Sequence, residues 1–122
     1  PGYIKAGRSN DALVDFSDWL PTLAELGVGK VSHKIDGISF APALFGLSGS
    51  KWKVRSFAFS ESKGSKAWVR TQRYKLYSNG SFYDVAKDAM EKKPIKNVTG
   101  SLIKEREALQ SAFTQIKYPN IK

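Results

Sequence analysis

Apolar residues recur at helical steps near both ends of the chain and alternate with polar ones in between. From Asp11 the first stretch carries Leu13, Val14, Phe16, Trp19, Leu20, Leu23 and Leu26, and the steps of three and four from Phe16 onward predict a helix. Ser17 is placed as its N-cap, Pro21 in its early turn and Gly27 as its stop. Residues 28–50 hold no sustained period. Gly29, Gly37, Pro42, Gly46 and Gly49 interrupt short apolar pieces at 38–40 and 43–45, which predicts an extended connection with one helical turn before Gly46. Irregular stretches of this length mark linking segments, and a boundary is expected near Ser48–Lys51.

Beyond that boundary the period changes to two. Val54 to Glu61 sets Phe57 and Phe59 on one face, and Ala67 to Thr71 and Tyr74 to Tyr77 alternate. Asn79-Gly80 stands between alternating runs, with Phe82-Tyr83-Asp84-Val85 after it, and predicts a hairpin closed by a type I′ turn with positive φ at both residues. The expectation is three to four antiparallel strands over about residues 54–86. Leu102, Arg106, Leu109, Phe113 and Ile116 then share one stripe of a helix over 101–117, with Ser101 or Thr99 available as cap and Tyr118-Pro119 ending it. A small sheet needs a cover and this helix is at hand, so the fold class is α+β: a small antiparallel sheet of three to four strands covered by a C-terminal helix, preceded by a helix and an extended segment.

Composition changes this picture in three ways. With 41% hydrophobic and 25% charged residues the chain is that of a folded protein, and no apolar run nears the roughly 20 residues that span a bilayer, so no membrane partner is expected. The absence of cysteine excludes disulfides, zinc–thiolate sites and thiol catalysis. The opening Pro1-Gly2-Tyr3 fits a mature product or an excised fragment. The net charge of +9 favours polyanionic partners, or simply a soluble lysine-rich surface, since the basic residues are dispersed.

Candidate chemistry is sparse. His33, the single histidine, has no nucleophile motif to serve and reads as a surface residue. Scattered carboxylates give no metal spacing, and Asp15 and Asp18 read as capping, solvent-exposed residues rather than an acid–base pair. Gly46 to Lys51 lacks the spacing of a phosphate loop. Asn79-Gly80-Ser81 and Asn97-Val98-Thr99 are formal glycosylation acceptors. One constellation suggests binding: the loop Ser60 to Lys66, with Lys63 and Lys66, lies just before Trp68 and Arg70. Those four residues could hold an anionic sugar, or the loop could be a solvated hairpin end.

The order of the pieces resembles the C-terminal portion of the sulfatases, of the arylsulfatase type within the alkaline-phosphatase-like superfamily. Residues 12–26, with Asp18 before Pro21-Thr22-Leu23, are similar to the sulfatase Asp-turn leading into Pro-Thr-Leu and a helix. Ile35-Asp36-Gly37-Ile38-Ser39 through Pro42, Leu44 and Gly46 resembles the next signature. Arg70-Thr71-Gln72-Arg73-Tyr74-Lys75 resembles the Arg-Thr-x-x-Tyr-Lys strand, and Phe82-Tyr83-Asp84-Val85-Ala86-Lys87-Asp88 resembles Leu-Tyr-Asp-Leu-x-x-Asp-Pro, with Ala89 in place of the final Pro and Pro94-Ile95 where Asn-Leu is usual.

The resemblance implies that residues 1–50 are the terminal part of a large α/β domain and residues 51–122 a small C-terminal domain. It implies a sulfuric ester hydrolase of periplasmic or secreted location, with calcium and a formylglycine made from Cys or Ser in a C/S-x-P-x-R motif. This chain has neither that motif nor the metal ligands, which lie upstream in the family. No catalytic, cofactor or metal residue therefore carries over, and a structural role with a place at the substrate entrance is expected. The partner would be the rest of the sulfatase chain, with a sulfated carbohydrate as ligand. The isolated chain is expected to form homo-oligomers through Trp19, Leu20, Leu23, Phe40 and Phe45. The alternative is a free-standing basic binding module for sulfated glycan or nucleic acid.

Overall fold

The computed structural model describes residues 3–47, 52–62 and 66–118. The chain divides into two compact units, Pro1–Ser56 and Phe57–Lys122. The boundary expected near Ser48–Lys51 lies outside the described residues.

In the first unit a 3-10 turn, Phe16–Asp18, runs directly into α1, Trp19–Leu26. The expected cap is corrected here. Asp15, not Ser17, opens the turn, its carboxylate accepting from Ser17 N at 3.0 Å while the Asp18 carboxylate accepts from Asp15 N at 2.8 Å. A carboxylate two residues earlier reaches the orphan N–H groups that the Ser17 hydroxyl, already inside the turn, cannot. Helix α1 stops at Gly27, as expected, and Val28 then takes a left-handed φ of 58°. The helical turn expected before Gly46 is α2, Ala41–Leu44, with Pro42 in its first turn, where the missing N–H costs nothing.

The second unit is a four-stranded antiparallel meander, β1 (Ala58–Ser62), β2 (Lys66–Arg70), β3 (Tyr74–Tyr77) and β4 (Phe82–Asp84), followed by α3 (Ser101–Gln115). Phe59, Val69, Leu76 and Phe82 stand directly opposite one another across the four strands. Period-two alternation puts this row on one face, and Leu109, Ala112 and Phe113 of α3 close over it. Phe59 meets Phe113 edge-on at 6.4 Å, and Tyr118 packs on both rings. Burial of each large side chain in this row contributes about 1.5–3 kcal/mol, enough for one helix and one sheet face to hold each other. Neither Ser101 nor Thr99 caps α3 with its side chain; Gly100, at φ 58°, occupies the cap position.

The β3–β4 connection also differs from the expected type I′ turn. Gly80 N donates to Tyr77 O at 2.9 Å and Tyr77 N to Ser81 O at 2.9 Å, and of the two residues only Gly80 has positive φ, at 88°. This is a three-residue loop, a turn through Ser78 and Asn79 followed by a glycine bulge. The Asn79 side chain accepts from Ser81 N at 3.0 Å, a local bond that stabilises the turn from within.

Candidate functional site

Strand alternation assembles the candidate site on the sheet face opposite α3. Ala67 and Val69 point into the core, so Lys66, Trp68 and Arg70 share the other face. Cross-strand register extends it: Trp68 is paired with Tyr77, Arg70 with Lys75, and Lys75 with Tyr83. Of the four residues expected to bind an anionic sugar, the strand brings together Lys66, Trp68 and Arg70, while Lys63 lies outside the described residues. Lys66 is exposed, and Trp68 and Arg70 are half-buried. Arg70 donates through Nε to Thr71 O at 3.0 Å and through Nη2 to Gln72 O at 3.2 Å, which fixes its guanidinium against the β2–β3 turn.

The middle of the face holds a polar cluster that sequence reasoning missed. The Lys75 ammonium lies 4.5 Å from the Trp68 ring centre and 4.7 Å from that of Tyr77, a cation between two π faces. Tyr77 in turn meets Tyr83 edge-on at 5.9 Å. Glu91 accepts from Lys75 Nζ at 2.7 Å and from Tyr77 OH at 2.6 Å. Burial pushes the Glu91 carboxyl up, but the Lys75 and Tyr77 donors outweigh it and hold the group below the usual carboxylate range. Burial likewise opposes the Lys75 charge, and Glu91 and Tyr77 overcome it, so the ammonium is held above its ordinary value. Burial and the Glu91 carboxylate together push the Tyr77 phenol up. The available signal was the short loop between 66–70 and 74–77, which in the observed register sets Lys75 opposite Arg70.

The segment carrying Glu91 is held by the acidic pair of the Tyr-Asp-Val-x-x-Asp motif. The Asp84 carboxylate takes Arg73 Nε at 3.1 Å and Nη2 at 2.9 Å, and its carbonyl accepts from Lys87 N and Asp88 N. Asp88 accepts from Lys93 N at 2.7 Å, and Glu91 N closes a turn on Asp88 O at 3.0 Å. Ala89 occupies the second position of this turn, where Pro is also favoured, so the departure from the sulfatase pattern leaves the turn intact.

In the first unit the motif residues build an internal scaffold. Asp18 is 2% exposed, which corrects the expectation of a solvent-exposed carboxylate. It accepts from Ile38 N at 2.7 Å and pairs with the Arg55 guanidinium through Nε at 2.9 Å and through Nη2. Burial pushes the Asp18 carboxyl up, but Arg55 and the Ile38 and Asp15 N–H groups outweigh that and hold it below the usual range. One turn later Thr22 donates to Asp18 O at 2.6 Å and accepts from Phe40 N at 3.0 Å. The 37–40 segment is thereby hydrogen-bonded to the start of α1, so closely that a Cβ on Gly37 would collide with the Ser17 carbonyl. Asp-x-x-Pro-Thr and Asp-Gly-x-Ser are thus two halves of one structural contact.

His33 is exposed and lines a shallow hollow of about 420 Å³ with Pro21, Ala24, Val31, Ile35 and Ser39. Among the described residues no group of three or more His, Cys, Asp or Glu side chains is placed to hold a metal ion. The calcium implied by the resemblance does not fit these residues, in line with ligands that lie upstream in the family.

No protein-family model matches the chain. The ulvan-active sulfatase of Formosa agariphila is 30% identical over 107 residues, which cover 80% of this chain and 21% of that protein. A solved 2-O GAG sulfatase superposes with a TM-score of 0.66 at 29% identity over 93% of this chain and 28% of its own. The chain is homologous to the sulfatases. It corresponds to their C-terminal portion, spanning about a fifth to a quarter of the length of these relatives. The phosphonate monoester hydrolase of Agrobacterium radiobacter shares the fold of this sulfatase homologue, with a TM-score of 0.65 at 23% identity over 90% of the chain. The α+β arrangement of four-stranded sheet and C-terminal helix is consistent with a sulfatase C-terminal subdomain. Among the described residues no helix of the sulfatase homologue is long and apolar enough to cross a membrane.

Proposed function

We propose that this chain completes a periplasmic or secreted sulfatase acting on a sulfated polysaccharide. Residues 1–50 would finish the large α/β domain, and residues 51–122 would form the small domain at the substrate entrance. The observation that carries the first part is the inverted burial of the first unit. Among its described residues only Asp18, Thr22 and Ala41 are fully buried, while Phe16 is 90% and Leu23 59% exposed and Trp19 and Leu20 stand about half in solvent. Leaving several such side chains uncovered forgoes about 1.5–3 kcal/mol each, and the rest of a sulfatase chain is the surface that would cover them. In the separate chain a second copy would serve instead.

The row Lys66–Trp68–Arg70 supports the second part. An indole face between two cations suits a sugar ring bearing sulfate, and two relatives act, by name, on ulvan and on a glycosaminoglycan. The test is a chimera in which this chain replaces the matching segment of the ulvan-active sulfatase. Turnover of sulfated polysaccharide by the chimera, and none by the chain alone, is expected. Trp68→Ala and Arg70→Ala should each lower kcat/KM about tenfold or more in variants that remain folded at the assay temperature, the loss of one desolvated contact. Unchanged kcat/KM in both variants would remove the substrate role. A chain that binds DNA with a steep salt dependence and fails in the chimera would favour the free-standing module instead.

A further inference from the structure

The sheet face that bears Lys66, Trp68 and Arg70 carries its own anion at its centre. Glu91 saturates Lys75 and Tyr77 with its two carboxylate oxygens, and the Lys75 ammonium is shielded by the Trp68 and Tyr77 rings. The flanking cations are different. Lys66 is exposed, and Arg70 hydrogen-bonds the neutral carbonyls of Thr71 and Gln72, feeling Glu91 only through space. At about 3.4 Å per residue, the Cα atoms of Lys66 and Arg70 stand roughly 14 Å apart, with Trp68 midway. The charge along this face therefore reads positive, neutral, positive. The neutral centre is held at a conformational cost, since Glu91 sits at φ 54°, a left-handed conformation unfavourable to a side chain of its type.

We propose that Glu91 is a specificity-determining residue: by neutralising Lys75 it makes this face select a sulfated sugar chain whose anionic groups flank an uncharged ring on Trp68, and reject one sulfated on every ring. The inference rests on the glycan-binding reading above. An anion brought to the centre meets a lysine whose charge Glu91 already compensates, so the attraction that a free ammonium would offer is lost. An uncharged ring there meets the indole beside an already paired Lys75 and Glu91 and forgoes no charge interaction.

The test uses the full chain and two oligosaccharides of one backbone and length, one sulfated on alternate rings and one on every ring, titrated at fixed ionic strength. Glu91→Gln should strengthen binding of the fully sulfated chain roughly fivefold or more, the scale of one freed charge pair, and that of the alternate one less than about twofold. The double variant Lys75→Met/Glu91→Gln should return the ratio to that of the unaltered chain. Lys75→Met alone, which bares the carboxylate, should weaken the fully sulfated ligand selectively and provides a second test if Glu91→Gln does not fold. Equal changes for both ligands, or a gain that survives loss of Lys75, would overturn the inference and leave the glycan reading standing. Failure of the folded, unaltered chain to bind either ligand would overturn both.

Discussion

Replacing Asp18 with Ala tests the reading that the first unit is organised around a buried charge rather than an apolar core. The carboxylate satisfies Ile38 N, Asp15 N and the Arg55 guanidinium, whose side chain is only 12% exposed. Its removal leaves Arg55 without its counter-charge, a loss of about 3–5 kcal/mol when one member of a buried pair is deleted. Each N–H left unsatisfied adds up to about 1–3 kcal/mol. Against this, the 37–40 segment keeps only the Phe40 N–H to Thr22 hydroxyl bond at 3.0 Å and the edge-on contact of Phe40 with Trp19 at 5.2 Å as its other links to α1 in a unit with few fully buried described residues. The expected result is loss of structure over about residues 15–40. Native-state amide exchange reads it directly: protection at Ile38 and Phe40 should vanish, with the amides of β2 and β3 as internal reference. Asp18→Asn retains an acceptor for Ile38 N and should show a smaller loss. Undiminished protection at Ile38 and Phe40 in Asp18→Ala would refute the argument, because it would mean that packing, not the carboxylate, holds the segment.

Two further outcomes are expected. Gly80→Val should destabilise the second unit by at least about 1–2 kcal/mol, because Gly80 lies at φ 88° and a β-branched residue resists that region; at about 4–8 °C per kcal/mol the melting temperature should fall visibly, and an unchanged value would contradict the bulge geometry. The carboxyls of Asp18, Asp84 and Glu91 are all held below their ordinary values, so the stability they contribute is complete above about pH 5 and is lost as pH falls through their depressed folded-state values, the unfolded groups protonating near pH 4. Urea midpoints at pH 6 and pH 3 should therefore separate, and less so in Asp18→Asn; an equal drop in both proteins would exclude Asp18 as a contributor.

The sequence by itself determined the elements that repeat a local pattern. The steps from Phe16 to Leu26, the alternation from Ala67 to Tyr77 and the stripe from Leu102 to Phe113 each encode a face, and a face is a property of neighbours along the chain. It also located the hairpin at Asn79-Gly80, though not its turn type, since both two- and three-residue loops use that pair and the choice depends on how the flanking strands register. What tertiary structure decided is where the charges went. Asp18 reads as a capping residue, and its carboxylate does close the capping box on Asp15 N; its burial depends on Arg55, thirty-seven residues away, whose approach no local pattern encodes. Lys75 reads as the polar half of an alternating strand. Its seat between Trp68 and Tyr77, under Glu91, exists only because a cross-strand register and a left-handed turn bring β2, β3 and the Glu91 turn to one point. Hydrophobic periodicity is written at short range, whereas the pairing of ions is set by distances through space.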